Sequence, residues 1–425
     1  MIKSIKNNSL SKLLLFLFLN LIFTGIIFLS FQDGKDKLGI CDEYKKIEIL
    51  INKNITEFLY PFNNCDDVYY FKSVEDFNSL FSSEANPYQN RPVYILSINV
   101  LNRILNFGNI VLEKNPIPLL PFITFQILLL SISQFSIVKI IEKFKKIEIL
   151  DIFLISISTF IYPLYKFGIF KTSHQTFALL IFSISIYMLV AHKVFNYEIF
   201  LLLGILYLVN RSFIICLFIL TLLEIKNKKF SINYLVKYFF KVVSFFMPAL
   251  FYRFYIFFNN FDTYDINSEK YGQFIWLENY LVRYGNAVSI RIFDKPLFNY
   301  RNFESEWHCV RIPENFLCFF NDSFEMLKYL SGGLLIIILF IKFSKIPRPL
   351  FKSLLQITLL SYLFWSFIGW YPPIRFNLYS LGMGILLFAV LQVVFLKSKK
   401  LKYLYAFLWT INFYLLEHWN VFGNY

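Results

Sequence analysis

Charge is scarce in this chain, and side chains that bind metals are scarcer still. Asp, Glu, Lys and Arg make up 16% of the 425 residues, with four histidines and five cysteines. No dense His or carboxylate cluster demands a metal, so a divalent ion is possible but not required. Low-complexity tracts, internal repeats and a soluble domain of useful size are also missing, which excludes a repeat scaffold. What fills the chain instead is apolar: 57% is hydrophobic, with 54 Phe and 28 Tyr. Soluble domains are nearer about half apolar. The sequence therefore reads as one all-α membrane domain over 1–425 that crosses the bilayer many times.

Acidic residues are few relative to basic ones, 28 against 42, which gives a net charge of +14. The basic residues do not form one face or a tail, as a nucleic-acid footprint would require. They fall in short clusters between apolar runs, the pattern by which cytoplasmic loops are marked. The implied partner is the membrane, with no nucleic acid.

These clusters set a topology. Lys3, Lys6 and Lys12 place the start inside, and 13–31 is long enough to cross as a retained anchor. A first external region follows over 32–116, ending in a helix that opens at Pro92. Asn99, Asn102, Arg103, Asn106 and Asn109 recur there at helical spacing among aliphatic residues, so this helix is expected to lie in the outer interface. The run 117–141 returns to Lys143, Lys145 and Lys146, 148–163 goes out, and 174–192 comes back to Lys193.

The run 199–223 would put Lys226, Lys228 and Lys229 outside if it were a single helix. Asn210-Arg211-Ser212 interrupts it, so two half-helices forming a hairpin are expected, with the turn shielded by other helices. Residues 238–258 go out, with a break at Pro248, and 259–326 form a second external region. The runs 329–341, 353–370, 376–396 and 401–417 then alternate, with Lys342, Lys345, Arg348, Lys352, Lys397, Lys399 and Lys400 inside. The sum is about eleven membrane segments in the cytoplasmic membrane.

The cysteines fit this layout in two ways. Cys41 and Cys65 fall in the first external region, Cys309 and Cys318 in the second, and Cys216 in a membrane run. Two external disulfides and free buried thiols are both compatible with that distribution.

Within the first external region, Cys65-Asp66-Asp67-Val68-Tyr69-Tyr70 places two adjacent carboxylates beside aromatics, and Arg91-Pro92-Val93-Tyr94 opens the interfacial helix. A carboxylate there can take a proton from an acceptor hydroxyl; a solvated turn or helix cap is the plainer use of such a pair. The arrangement resembles the first external loop of the class C (GT-C) membrane glycosyltransferases, in which an acidic pair precedes an aromatic and a basic-Pro-aliphatic-Tyr start follows. The stretch Leu203–Arg211 is similar to that family's Gly-Leu-rich run ending in a basic residue. The resemblance implies a GT-C-like helix bundle that uses a polyprenyl-phosphate-linked sugar as donor substrate, with a glycan, lipid or protein as acceptor.

It further implies Asp66, with Asp67, as the catalytic carboxylates and Tyr70, Arg91 and Arg211 as substrate-binding residues. Arg211 would meet the donor phosphate, which suits its planar, permanently charged fork. Arg375, in the Tyr371-Pro372-Pro373-Ile374-Arg375 turn, is similar to the family's late Arg-aromatic pattern, and anchoring a helix end is its other role. His174 is a further substrate-binding candidate for acid or base work, with a structural role as its alternative; Arg253 is in the same position. Asp42-Glu43-Tyr44 lies nearer the first helix and is a rival to the acidic pair. Trp276 and Trp307 in the second external region could stack on sugar rings or simply cap helices. A polysaccharide polymerase or ligase, which would rely on 259–326, and a lipid-linked substrate transporter or flippase remain alternatives.

Overall fold

The computed structural model describes residues 9–30, 70, 73–74, 76–81, 91–109, 120–169, 176–191, 196–227, 232–261, 327, 330–368 and 378–414. The helices are α1 Ser9–Ser30, α2 Pro92–Asn109, α3 Leu120–Ile141, α4 Ile149–Phe160, α5 Pro163–Gly168, α6 Phe177–Ala191 and α7 Tyr197–Tyr207. They continue as α8 Ile214–Asn227, α9 Ile232–Phe258, α10 Ser331–Phe340, α11 Arg348–Ile368, α12 Met383–Phe395 and α13 Lys399–Tyr414. Among the described residues there is no strand, and an isolated bridge pairs Ser344 with Leu396. The protein is all-α. Long runs of Leu, Ile and Phe favour this form because a helix satisfies its own backbone where water cannot.

Three of these helices are long and apolar enough to cross a membrane, over Ser9–Ile27, Leu120–Ile141 and Asn233–Phe258. Others are short. The 11 residues of α7 rise about 17 Å, against about 30 Å of hydrocarbon.

Ion pairs gather at one end of the bundle. Lys12 on α1 pairs with Glu142 just after α3, and Lys139 lies 3.0 Å from the same carboxylate. Burial pushes the Glu142 carboxyl up, but hydrogen bonds and charge from Lys12 and Lys139 outweigh this and hold it below its usual value. Asp151 in the first turn of α4 is fully buried between Lys145, at 3.1 Å, and Lys402 on α13. Burial lowers the Lys145 pKa, with Asp151 opposing that shift and Lys402 adding to it. Lys145 also donates to the Val394 carbonyl at 2.8 Å, and the Lys345 N–H to Phe395 at 3.3 Å. Basic clusters far apart in sequence thus meet at a common lysine end.

From that end the helices alternate in direction. α1 runs antiparallel to α3, as Lys12 with Glu142 and Asn20 with Gln134 show. α4 and α13 run parallel, from Asp151–Lys402 through the Trp409 Nε1 bond to the Ser158 carbonyl to Tyr162 against Phe413. α10 is antiparallel to α13, with Phe340 on Tyr405 and Gly333 on Trp409 and Phe413. α11 is antiparallel to α12, with Phe351 on Phe388 and Thr358 on Gly384.

Polar side chains join α1, α3 and α4 inside this packing. Asn20 donates to Ser131 and Gln134, both at 2.9 Å, and Gln134 reaches Thr159 at 2.6 Å. All five residues, counting Ser156, are buried. With every group satisfied, such a network fixes helix register without leaving an orphaned dipole.

The hairpin around Asn210 is visible in its contacts. Phe200 near the start of α7 and Glu224 near the end of α8 both lie against Lys241 of α9, at 5.7 Å from ring centroid to Nζ and 2.6 Å from carboxylate to Nζ. The chain therefore goes out along α7 and returns along α8. Asn210 explains the turn: its Oδ1 accepts the Ser212 N–H at 2.9 Å, offering the backbone an alternative to helix. Gly204 lets α7 and α9 touch, since a Cβ there would sit 2.0 Å from the Phe245 carbonyl oxygen.

The expected break at Pro248 is absent. α9 continues through it, as apolar helices can when local adjustment absorbs one missing N–H.

Candidate functional site

At the end opposite the lysines the helix ends converge on an aromatic cluster. Tyr70 is buried and packs edge-on against Tyr94 of α2 and Phe122 of α3, at centroid distances of 5.9 and 6.1 Å. Tyr94, also buried, meets Phe125 of α3 at 5.5 Å and Phe177 of α6 at 6.1 Å. Phe177 meets Phe213, just before α8, at 6.1 Å. Rings from five separated stretches of chain thus share one core. Edge-to-face geometry suits them, because a positive ring edge faces a negative ring face.

Into this cluster comes Arg91. It is half-buried, and its Nη1 donates to the Tyr70 hydroxyl at 3.0 Å. Pro92 occupies the first turn of α2, where its missing N–H costs nothing. Position 91 is thereby held at the helix entrance, beside the ring that follows the acidic pair by three residues in sequence. Nearby Gln126 donates to the Tyr94 hydroxyl at 3.5 Å and accepts from Thr176. The Tyr165 hydroxyl accepts the Leu179 N–H at 3.0 Å and donates towards the Thr176 carbonyl or the Met383 sulfur. Lys166, its neighbour on α5, is buried at the same end.

On α2 Asn99 is buried and donates to the Val74 carbonyl at 2.6 Å, whereas Arg103 is exposed. Leu96, Val100 and Ile104 are the exposed stripe, with Arg103 beside them. Burying one Asn on a backbone carbonyl ties the stretch around Val74 to the helix and leaves the aliphatic stripe uncovered. Phe81 continues this cover, packing on Tyr255 at the end of α9 at 5.8 Å.

Of the sequence-derived site residues, Tyr70 and Arg91 are brought into direct contact. Arg211 begins the 3-10 turn Arg211–Phe213, whose Phe213 joins the same cluster. Asp66, Asp67, His174 and Arg375 lie outside the described residues, as do Asp42, Trp276, Trp307 and Cys41, Cys65, Cys309 and Cys318. Cys216 is buried, with its sulfur 3.5 Å from the Ser185 hydroxyl. Among the described residues no group of three His, Cys, Asp or Glu side chains could hold a metal.

The sequence reading passed over Gln126, Tyr165, Lys166 and Thr176, and gave Tyr94 only as part of the start of the helix. Lys166 did carry a signal: a lone cation within the otherwise apolar stretch 161–170. Chemically, the half-buried Arg91 guanidinium could meet an anionic group, whereas the phenols and the Gln126 amide are buried and bonded within the protein. Comparison of the chain with family models, curated proteins and solved structures finds no match.

Proposed function

We propose that the protein is a GT-C-like glycosyltransferase that moves a sugar from a polyprenyl-phosphate-linked donor to a glycan, lipid or protein acceptor at the outer face of the cytoplasmic membrane. The observation that carries this is the Arg91–Tyr70 hydrogen bond. It joins the two parts of the sequence pattern on which the resemblance rests, although they stand 21 residues apart. In sequence the acidic pair stands just before Tyr70, the residue that accepts from Arg91, and that neighbourhood supports chemistry at this end.

In this proposal the Asp66 carboxylate takes the proton of the acceptor hydroxyl, and the acceptor oxygen attacks the anomeric carbon. The bond from that carbon to the phosphate oxygen breaks, and polyprenyl phosphate leaves with the electron pair. Arg91 and Arg211, with Arg375, neutralise the charge that gathers on the phosphate. All the helices that alternate from the lysine end, about eleven, would be membrane segments, the shorter ones lying where the protein thins the hydrocarbon. The lysine end would face the cytoplasm.

The test is transfer by the full chain reconstituted with polyprenyl-phosphate sugars. Asp66→Asn is expected to abolish product. Full activity in both Asp66→Asn and Asp67→Asn removes the proposed base, and loss in Asp42→Asn instead moves it to the rival pair.

A further inference from the structure

At the lysine end, one surface has cations without matching acids. Lys342, Lys345, Lys352, Lys397 and Lys400 are exposed, and among the described residues none of them pairs with an acidic side chain. Lys399 reaches Glu148 at 3.9 Å, with both side chains mostly exposed. Two distant segments build this surface: the Ser344–Leu396 bridge and the bond from the Lys345 N–H to Phe395 clip the end of α10 to the end of α12.

Large apolar side chains are exposed among these cations. Leu339, Phe343 and Phe351 are 57%, 49% and 45% accessible. A surface meant only for water would not carry them, and nucleic acid would leave them uncovered. Cations set at the rim of exposed aliphatic and aromatic side chains match a molecule with an anionic head and an apolar tail.

We infer that this surface holds an anionic phospholipid, its phosphate between the cations of 342–352 and 397–400 and its acyl chains against Leu339, Phe343 and Phe351. Orientation of the chain by its lysines alone requires no retained lipid. The inference is independent of glycosyl transfer.

Native mass spectrometry of the full chain in detergent, titrated with phosphatidylglycerol or phosphatidylcholine, separates the two. Phosphatidylglycerol is expected to be retained on the order of tenfold better, since each nearby cation is worth about fivefold. The double variant Lys345→Gln/Lys397→Gln is expected to fall towards the phosphatidylcholine level. Both side chains are exposed, so its thermal unfolding should match wild type; Lys342→Gln provides a milder second variant. Arg103→Gln at the opposite end is expected to change nothing. Equal retention of the two lipids overturns the inference, as does unchanged retention in the lysine variants. Displacement by inorganic phosphate at equal phosphate concentration does so too, because it makes the site one for free phosphate.

Discussion

The Nη1 of Arg91 lies 3.0 Å from the Tyr70 hydroxyl, with the Tyr70 ring locked against Tyr94 and Phe122. A guanidinium held by a buried phenol is aimed before any ligand arrives, and that reduces the ordering cost of binding an anion. Replacing Tyr70 by Phe keeps the ring and removes the hydroxyl that accepts from Arg91. Hydrogen bonds to charged groups are worth about 1.5–3 kcal/mol, so transfer by Tyr70→Phe should fall by about ten- to a hundredfold. Arg91→Gln should fall further, and a donor titration in proteoliposomes measures both.

Asp151 is the shared counter-ion of Lys145 and Lys402 and is fully buried. Asp151→Ala leaves two cations without it, and breaking a buried pair costs about 3–5 kcal/mol. A large fall in thermal unfolding temperature in detergent is expected. The double variant Asp151→Ala/Lys402→Met should recover part of that loss, because one unpaired charge goes with its partner.

Gly204 faces the backbone of α9, where an added Cβ would stand 2.0 Å from the Phe245 oxygen. Backbone cannot rotate away as a side chain can. Gly204→Ala should therefore destabilise the packing of α7 on α9 by about 1–3 kcal/mol, read from thermal unfolding. Gly25→Ala, with nothing within 4 Å of the added atom, is the matched control.

Glu142 is held below its ordinary value of 4.5 by Lys12 and Lys139, against burial. A carboxylate with a lowered folded-state pKa adds stability that is fully present above the unfolded value. That stability is lost as the pH falls through the folded value. Thermal unfolding temperature should thus decline as the pH drops below about 4.5, and Glu142→Gln should flatten that part of the profile.

Part of the lysine end was legible in the sequence because clustered charge beside an apolar run marks a helix end: Lys12 and Lys145 do so, and pair with Glu142 and Asp151. Lys402, inside the run 401–417, was not singled out although it shares Asp151 with Lys145. The hairpin was legible because Asn210-Arg211-Ser212 breaks an apolar run with residues that turn the backbone. The aromatic end was less so. Tyr94, Gln126, Tyr165 and Thr176 come from four segments, and a polar residue within an apolar helix does not say which neighbour it will face. Asn99 shows why: at helical spacing it looked like part of a polar stripe, yet a carbonyl at Val74 was available to satisfy it inside. Pro248 misled for a related reason, since its cost depends on the medium around the helix.

The most direct measurement is the fate of a polyprenyl-phosphate sugar, labelled in the sugar, in proteoliposomes containing the full chain and acceptor. Glycosyl transfer predicts that label appears in a new glycosidic product as polyprenyl phosphate is released, and that Arg91→Gln suppresses both. Movement of the intact labelled donor across the bilayer, with no glycosidic product, would contradict it and identify a transporter.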